Sequence, residues 1–355
     1  MRLIDSHCHL QADRFGDDVD AVIAAGREAG VERILVPGWN AWSSAAALEL
    51  VERVPSLDAA VGVHPHDAAK VGDEEWATIA ASARDPRVLA IGETGLDYDR
   101  VFSPIGAQLA NLGRNLELAV ELDKPVILHC RSRAGERDAQ DALLDVVRAF
   151  GGAVRPVIHS FSGPVDYAEA MLELGAAISI SGLAFRRGEE ATADVVRLVP
   201  ADRLLVETDS PFLSPPGGPR GRNTPEWVRV TANWVAELRG DDPDVFGDGL
   251  VDAYQCAFGA GSGNHVSQSA AYAEFVKASS AALYRIDPFG MGRSIGAPED
   301  EYEDEAARLA TSVLRSQSVQ EVSEEVSKRF GADPHLIEAI VKAWTRYRSE
   351  PVDAP

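Results

Sequence analysis

The chain has 355 residues, of which 45% are hydrophobic and 25% charged, so it is neither disordered nor fibrous and is long enough for a large domain plus a smaller one. A formal net charge of −22 argues against a broad electrostatic grip on duplex nucleic acid, because polyanions repel at long range. No run approaches the roughly 20 apolar residues of a membrane span, which excludes a membrane partner of that kind.

The N-terminus enters an apolar run without a basic leader or a small-residue cleavage site, so a cytoplasmic location is expected. Its first element, RLIDSH, ends in the stretch DSHCHL, residues 5 to 10. On a strand, His7 and His9 project to one face and Cys8 to the other. Further β-rich runs follow in order: RILVPG, LDAAVGVH, VLAIGE, PVILHC, PVIHSF, AAISISG and LLVETD. Helical spacing of apolar residues separates them at 17 to 29, 105 to 122, 138 to 150 and 165 to 174. Eight strand-helix units over about 210 residues predict an α/β protein with a TIM-type (β/α)8 barrel. The alternative is an open doubly wound sheet, but no Gly-rich phosphate loop follows the first strand.

After the eighth strand a Pro/Gly-rich loop at 210 to 225 leads into a helix from Glu226 to about Arg239, and the barrel is expected to fill residues 1 to 260. Residues 261 to 298, rich in Gly, Ser and Ala, read as a connector, and residues 299 to 355 as a small C-terminal helical extension. That module opens on an acidic run at 298 to 306. Ser318 with Glu321 reads as a capping box, and Asp333 before Pro334 as a helix start. The three cysteines, Cys8, Cys130 and Cys256, have no disulfide or zinc spacing, and strand alternation turns Cys8 and Cys130 away from their histidine neighbours.

Polar residues gather at the carboxyl ends of these strands: His7 and His9, His64 and His66, Glu93, His129 and Arg131, His159, and Glu207 with Asp209. Six of the eight histidines lie there, where barrel enzymes place their chemistry. A single strand-end histidine is more often a hydrogen-bonded core residue than a ligand. Several converging on one barrel mouth make a divalent metal site. Imidazole and carboxylate without thiolate suit Zn²⁺, Mn²⁺ or Mg²⁺ alike. A strand-4 carboxylate can bridge two ions, and Asp209 can bind a metal, orient water and accept its proton.

With these positions in hand, the chain resembles the TatD family of metal-dependent deoxyribonucleases in the amidohydrolase superfamily. The motifs run in order: DSHCHL (5 to 10), GVHPH (62 to 66), GETGLDY (92 to 98), PVILHCR (125 to 131), HSFSG (159 to 163) and ETDSPFL (207 to 213). The resemblance implies that His7, His9 and Glu93 bind one metal and that Glu93 bridges to a second held by His129 and His159. Asp209 would complete the first ion's shell and activate water, so Asp209 and Glu93 carry the catalysis. Arg131, Arg222 and Asn223 would meet phosphate oxygens, while His64 and His66 would contact substrate or an extra metal. Glu93 stands where another branch of the superfamily has a carboxylated Lys. The stretch VDAYQCAFGA (251 to 260) departs from the family's usual Asn, Arg and Leu-Phe ending, and residues 261 to 355 exceed the ordinary family length.

The function so implied is hydrolysis of DNA phosphodiesters with two divalent ions, as an exonuclease on single strands or ends, within a larger assembly joined through a protein partner of the C-terminal helices. The alternatives are an amidohydrolase-type enzyme acting on a small amide or phosphoester, and a scaffold subunit of a complex.

Overall fold

A computed structural model describes residues 1–259, 277–288, 302, 309 and 318–349. Eight strands form one parallel sheet in sequence order: β1 (Leu3–Asp5), β2 (Val31–Pro37), β3 (Leu57–Val61), β4 (Val88–Asp97), β5 (Val126–Arg131), β6 (Pro156–Ile158), β7 (Ala177–Ile180) and β8 (Leu204–Val206). The predicted helices appear as α1 (Val19–Glu28), α4 (Ile105–Glu121), α5 (Asp138–Ala149), α6 (Val165–Glu173) and α8 (Val228–Arg239). Three more fill strand-helix units for which the sequence gives no helix bounds, α2 (Ala41–Arg53), α3 (Asp73–Ser82) and α7 (Thr192–Leu198), and α9 (Pro243–Phe258) follows α8. In α5 the buried residues Ala139, Leu143 and Val147 recur every four positions, which faces one stripe to the sheet.

The barrel closes at a seam formed just beyond its first and last strands. Ser6 N donates to Val206 O (3.1 Å), Asp209 N to His7 O (2.9 Å) and His9 N to Ser210 O (2.7 Å). Asp5 strengthens this seam, accepting from Thr208 N at 2.9 Å and from its hydroxyl at 2.5 Å. These bonds place Asp209 against the His7 and His9 backbone, although some 200 residues separate them in the chain.

One residue from every strand fills the lower barrel interior: Ile4, Leu35, Ala60, Ala90, Ile127, Val157, Ala177 and Leu205. Ala253, Tyr254 and Phe258 of α9 pack against this ring, with the Tyr254 hydroxyl donating to Asp58 at 2.8 Å. Residues 251–258 of the stretch that departs from the family ending therefore lie in the helix that seals the base of the barrel. Side chains alternate with period two, so the residues two positions on, among them Ser6, His129, His159, Ser179 and Glu207, form the next inward layer.

Strand β4 runs to Asp97, four residues past the predicted VLAIGE, and glycine is what lets it pack so closely on β5. A Cβ at Gly92 would stand 2.6 Å from Ile127 O, and one at Gly95 would overlap His129 O; both residues have φ above +120°. By contrast β1, β6 and β8 stop short, so His7, His9, His159 and Asp209 stand on the loop backbone just after their strands.

Residues 1–260 form one compact unit and residues 261–355 a second. Ala282, Leu283, Tyr302, Leu309, Val322, Val326, Phe330, Leu336, Ile340 and Trp344 build the second unit's own core. Ala282 and Leu283 lie in the segment read as connector, and belong to this core. Ser318 caps its helix by accepting from Glu321 N at 3.2 Å, one half of the expected capping box, and Asp333 accepts from His335 N and Leu336 N at 2.9 and 3.0 Å at the expected helix start. Residues 261–276 and 289–298 of the connector and, apart from Tyr302, the acidic run lie outside the described residues. No described helix is long and apolar enough to cross a membrane.

Gly95→Ala is expected to destabilise the barrel by about 4 kcal/mol or more, because backbone rather than a movable side chain blocks the added methyl. A lowered urea midpoint or loss of soluble protein is the readout.

Candidate metal centre

Glu93 rises from the glycine-flanked part of β4 into the upper barrel, its side chain only 3% exposed. Its two oxygens face different partners. Oε2 lies 3.3 Å from His7 Nε2 and 3.5 Å from His9 Nε2. Those imidazole nitrogens are 3.2 Å apart, and Asp209 Oδ1 stands 3.7 and 3.3 Å from them. Oε1 faces the other way, 2.9 Å from His159 Nε2, 3.1 Å from His129 Nδ1 and 3.3 Å from His64 Nε2. His129 Nδ1 and His159 Nε2 are 3.3 Å apart.

These separations fit a divalent cation on each side of Glu93. Ligand atoms about 2.0–2.2 Å from a tetrahedral centre stand roughly 3.3–3.6 Å from one another. The groups His7–His9–Glu93, His7–His159–Asp209 and His64–Glu93–His129 each offer donor atoms clustered tightly enough for one ion. Several lone pairs so close together would repel unless a proton or a cation lay between them.

Electrostatics supports that reading. Burial disfavours charge on Glu93, but His159, His64 and His7, with a hydrogen bond from His129, outweigh it and hold the carboxyl well below its usual range. Burial also opposes charge on His159, yet Glu93 and Glu207 together raise its imidazole well above the usual value. Without a cation, His159 therefore carries the proton that balances Glu93. His64 shows the opposite balance: burial dominates and lowers it to about 4, which leaves a neutral imidazole with a lone pair to donate.

A second layer orients the imidazoles. Glu207 Oε1 accepts from Ser160 N at 2.8 Å and lies 3.0 Å from His159 Nδ1, which fixes the ring with Nε2 toward Glu93. Asp97 Oδ2 lies 2.7 Å from His66 Nε2 and 3.4 Å from His129 Nε2, and Oδ1 accepts from Asp99 N and Arg100 N. Glu207, His159, Glu93, His129, Asp97 and His66 thus alternate acid and base in one line across the mouth. Asp209 has φ +52°, a left-handed conformation that Asp tolerates, and the seam bonds hold it there.

The structure brings together the six expected metal ligands, His7, His9, Glu93, His129, His159 and Asp209, and adds His64 to the Glu93 Oε1 side. His66 stands one shell out, on Asp97. Arg131 is half-exposed and paired with Asp99 at 2.7 Å. Arg222 is paired with Asp18 at 2.8 Å and donates to Arg14 O. Asn223, expected at phosphate, is instead fully buried, and its amide donates to Thr208 O and accepts from Thr224 N. With both ends engaged it anchors the loop. Cys8 and Cys130 are buried away from the donor set, and burial raises Cys130 to about 12. Glu207 and Asp97 lie in the ETDSPFL and GETGLDY motifs, whose spacing alone gives neither a role. Only the pairing of Asp97 with two imidazoles from other strands shows what it does.

A family model described as TatD related DNase matches residues 4–259, ending where the first compact unit ends. The chain is 38% identical over 253 residues to the 3'-5' ssDNA/RNA exonuclease TatD of Erwinia billingiae, a match covering 69% of this chain and 94% of that protein. It is 34% identical over 238 residues to an uncharacterized metal-dependent hydrolase of Bacillus subtilis, covering 67% and 91%. A crystal structure of a TatD homologue from Escherichia coli is similar with a TM-score of 0.67 and 31% identity, covering 73% of this chain and 98% of that one.

Glu207→Gln is expected to weaken divalent-cation affinity about 10- to 100-fold through loss of the His159 anchor, measured by equilibrium dialysis. Because His159 is protonated without a cation, binding near neutral pH should release a proton and tighten as pH rises. Calorimetry in buffers of different ionisation enthalpy reads that release directly; zero release refutes the assigned charge state.

Proposed function

The chain belongs to the TatD-related DNase family, whose members include metal-dependent hydrolases, and from that premise we propose that it is a metal-dependent nuclease removing nucleotides from the 3' ends of single-stranded DNA or RNA. The observation that carries this reading is the Glu93 carboxylate, each of whose oxygens faces its own set of imidazoles at ligand spacing.

In the proposed arrangement His7, His9, Asp209 and Glu93 would hold one divalent cation, and His129, His159, His64 and Glu93 would hold another. When bound, such ions polarise phosphoryl oxygens and lower the pKa of water. The chain's own groups do the rest. Glu93 stays anionic because the surrounding imidazoles stabilise its charge. Asp209 is more open than Glu93, its side chain 13% exposed, and its Oδ1 is turned toward His7 and His9. Oδ2 is then the proton acceptor for water attacking phosphorus. Arg131, whose solvent-exposed pairing with Asp99 can be exchanged for a phosphate oxygen, orients the substrate. The acidic exterior favours a free end entering the mouth over a duplex laid across the surface. A protein partner for the C-terminal unit gains no support from the family match, which ends at residue 259.

The test uses metal-free protein resupplied with Mg²⁺, Mn²⁺ or Zn²⁺ and single strands labelled at either end. Shortening from the 3' end is the expected result, and nicking of intact duplex as the only activity would overturn the reading. His129→Ala and Asp209→Asn should each lower kcat at least about 100-fold, with bound metal lost in His129→Ala. Arg131→Ala should keep its metal, by elemental analysis, while kcat/KM falls about tenfold.

A further inference from the structure

Three large aromatic side chains at the mouth have no part in the proposed chemistry and stay strongly exposed: Trp42 (55%), Phe102 (63%) and Phe212 (47%). An isolated exposed aromatic is unremarkable. These, however, continue the ring contacts of the centre outward along two walls. On the first wall, His9 meets Phe212 at 6.1 Å and Trp39 at 5.2 Å between ring centroids, and Trp42 extends from Trp39 at 5.9 Å. The Arg14 guanidinium lies 5.4 Å from the Phe212 ring centre. On the second wall, His64 meets His66 at 4.3 Å, and Phe102 covers His66 at 4.7 Å. Val101, just before Phe102, has φ +49°, an unfavourable conformation for a β-branched residue. The loop keeps that strain in the conformation that presents Phe102.

Resting on the nuclease reading above, we propose that these two walls are base-stacking platforms, Phe212 with Trp42 on one side and Phe102 on the other, for the nucleotides flanking the scissile phosphate. They select single strands because a duplex already covers both faces of each base, whereas an unpaired end offers a free face. Charge points the same way. A chain with a net charge of −22 has little general attraction for a phosphate backbone, and stacking supplies affinity independent of positive charge. Phe212 adjoins His9 of the donor set, and Phe102 adjoins His66, whose ring lies 4.3 Å from His64 and 6.2 Å from His129, so a base stacked on either places its phosphate near the centre.

The experiment measures steady-state hydrolysis of a short, end-labelled single strand by the full-length protein loaded with Mn²⁺. Trp42→Ala, Phe212→Ala and Phe102→Ala should each raise KM about 5- to 100-fold and alter kcat less. Trp42→Tyr and Phe102→Tyr, which retain a ring, should stay near the wild-type KM. A strand with abasic residues at the cleaved end should raise the wild-type KM similarly and add little in the alanine variants, since the same contact is already gone. Unchanged KM in all three alanine variants, or losses that add in full, overturn the platforms alone. Wild-type protein that leaves single strands intact with every cation overturns the nuclease reading and this inference with it.

Discussion

Everything at the top of the barrel depends on a single buried carboxylate serving two groups of imidazoles. An unpaired ion at the depth of Glu93 would cost several kcal/mol even after relaxation. The surrounding histidines offset that cost and gain a shared acceptor. The requirement reaches back into the fold: a bulkier strand than GETG would hold β4 away from β5 and separate Glu93 from His129. The sparing use of side chains along β4 is therefore inseparable from the dense set of donors above it.

The outer carboxylates complete the arrangement. Glu207 and Asp97 each stand behind an imidazole that faces Glu93, so three acids alternate with three bases in one line that is buried at Glu207 and opens at His66. Burial works against Glu207, yet His159, His7 and Ser160 hold it at about 2, so it remains an anion behind the ring it orients. Such a line is stable only if nearly complete, because removing one member strands a charge. The same completeness presets the ligand geometry before a cation arrives. Ser6 and Ser179, whose hydroxyls meet at 2.8 Å in this layer, fill the remaining interior without adding charge.

Much of this was legible in the chain itself. The strand count, the gathering of histidines at one barrel end and the helices with clean apolar stripes follow from period and spacing. The H-x-H geometry came out as expected for a different local reason. Strand β1 ends at Asp5, and His7 and His9 take their positions from hydrogen bonds to the β2 and β8 sides, with Cys8 N donating to Leu35 O. Helices α2, α3 and α7 are implied by the eight strand-helix units, but their bounds do not stand out because their apolar positions are interrupted by small or polar residues. Asn223 misled for a similar reason: a polar residue in a loop near a site looks like a substrate contact, and only the partners of its amide reveal an anchor. Asp97, inside a quoted motif, could not be assigned, since its meaning comes from His66 and His129, which lie 31 and 32 positions away.

The sealed base formed by α9 sets the traffic through the molecule. Ile4, Ile127 and Leu205 meet Tyr254 and Phe258 below the donor layer, so the barrel is a cup and not a tunnel. A polymer cannot be drawn through a cup. On the proposed nuclease reading, each released nucleotide would have to leave by the opening through which its strand came in, before the shortened chain could settle to the same depth again.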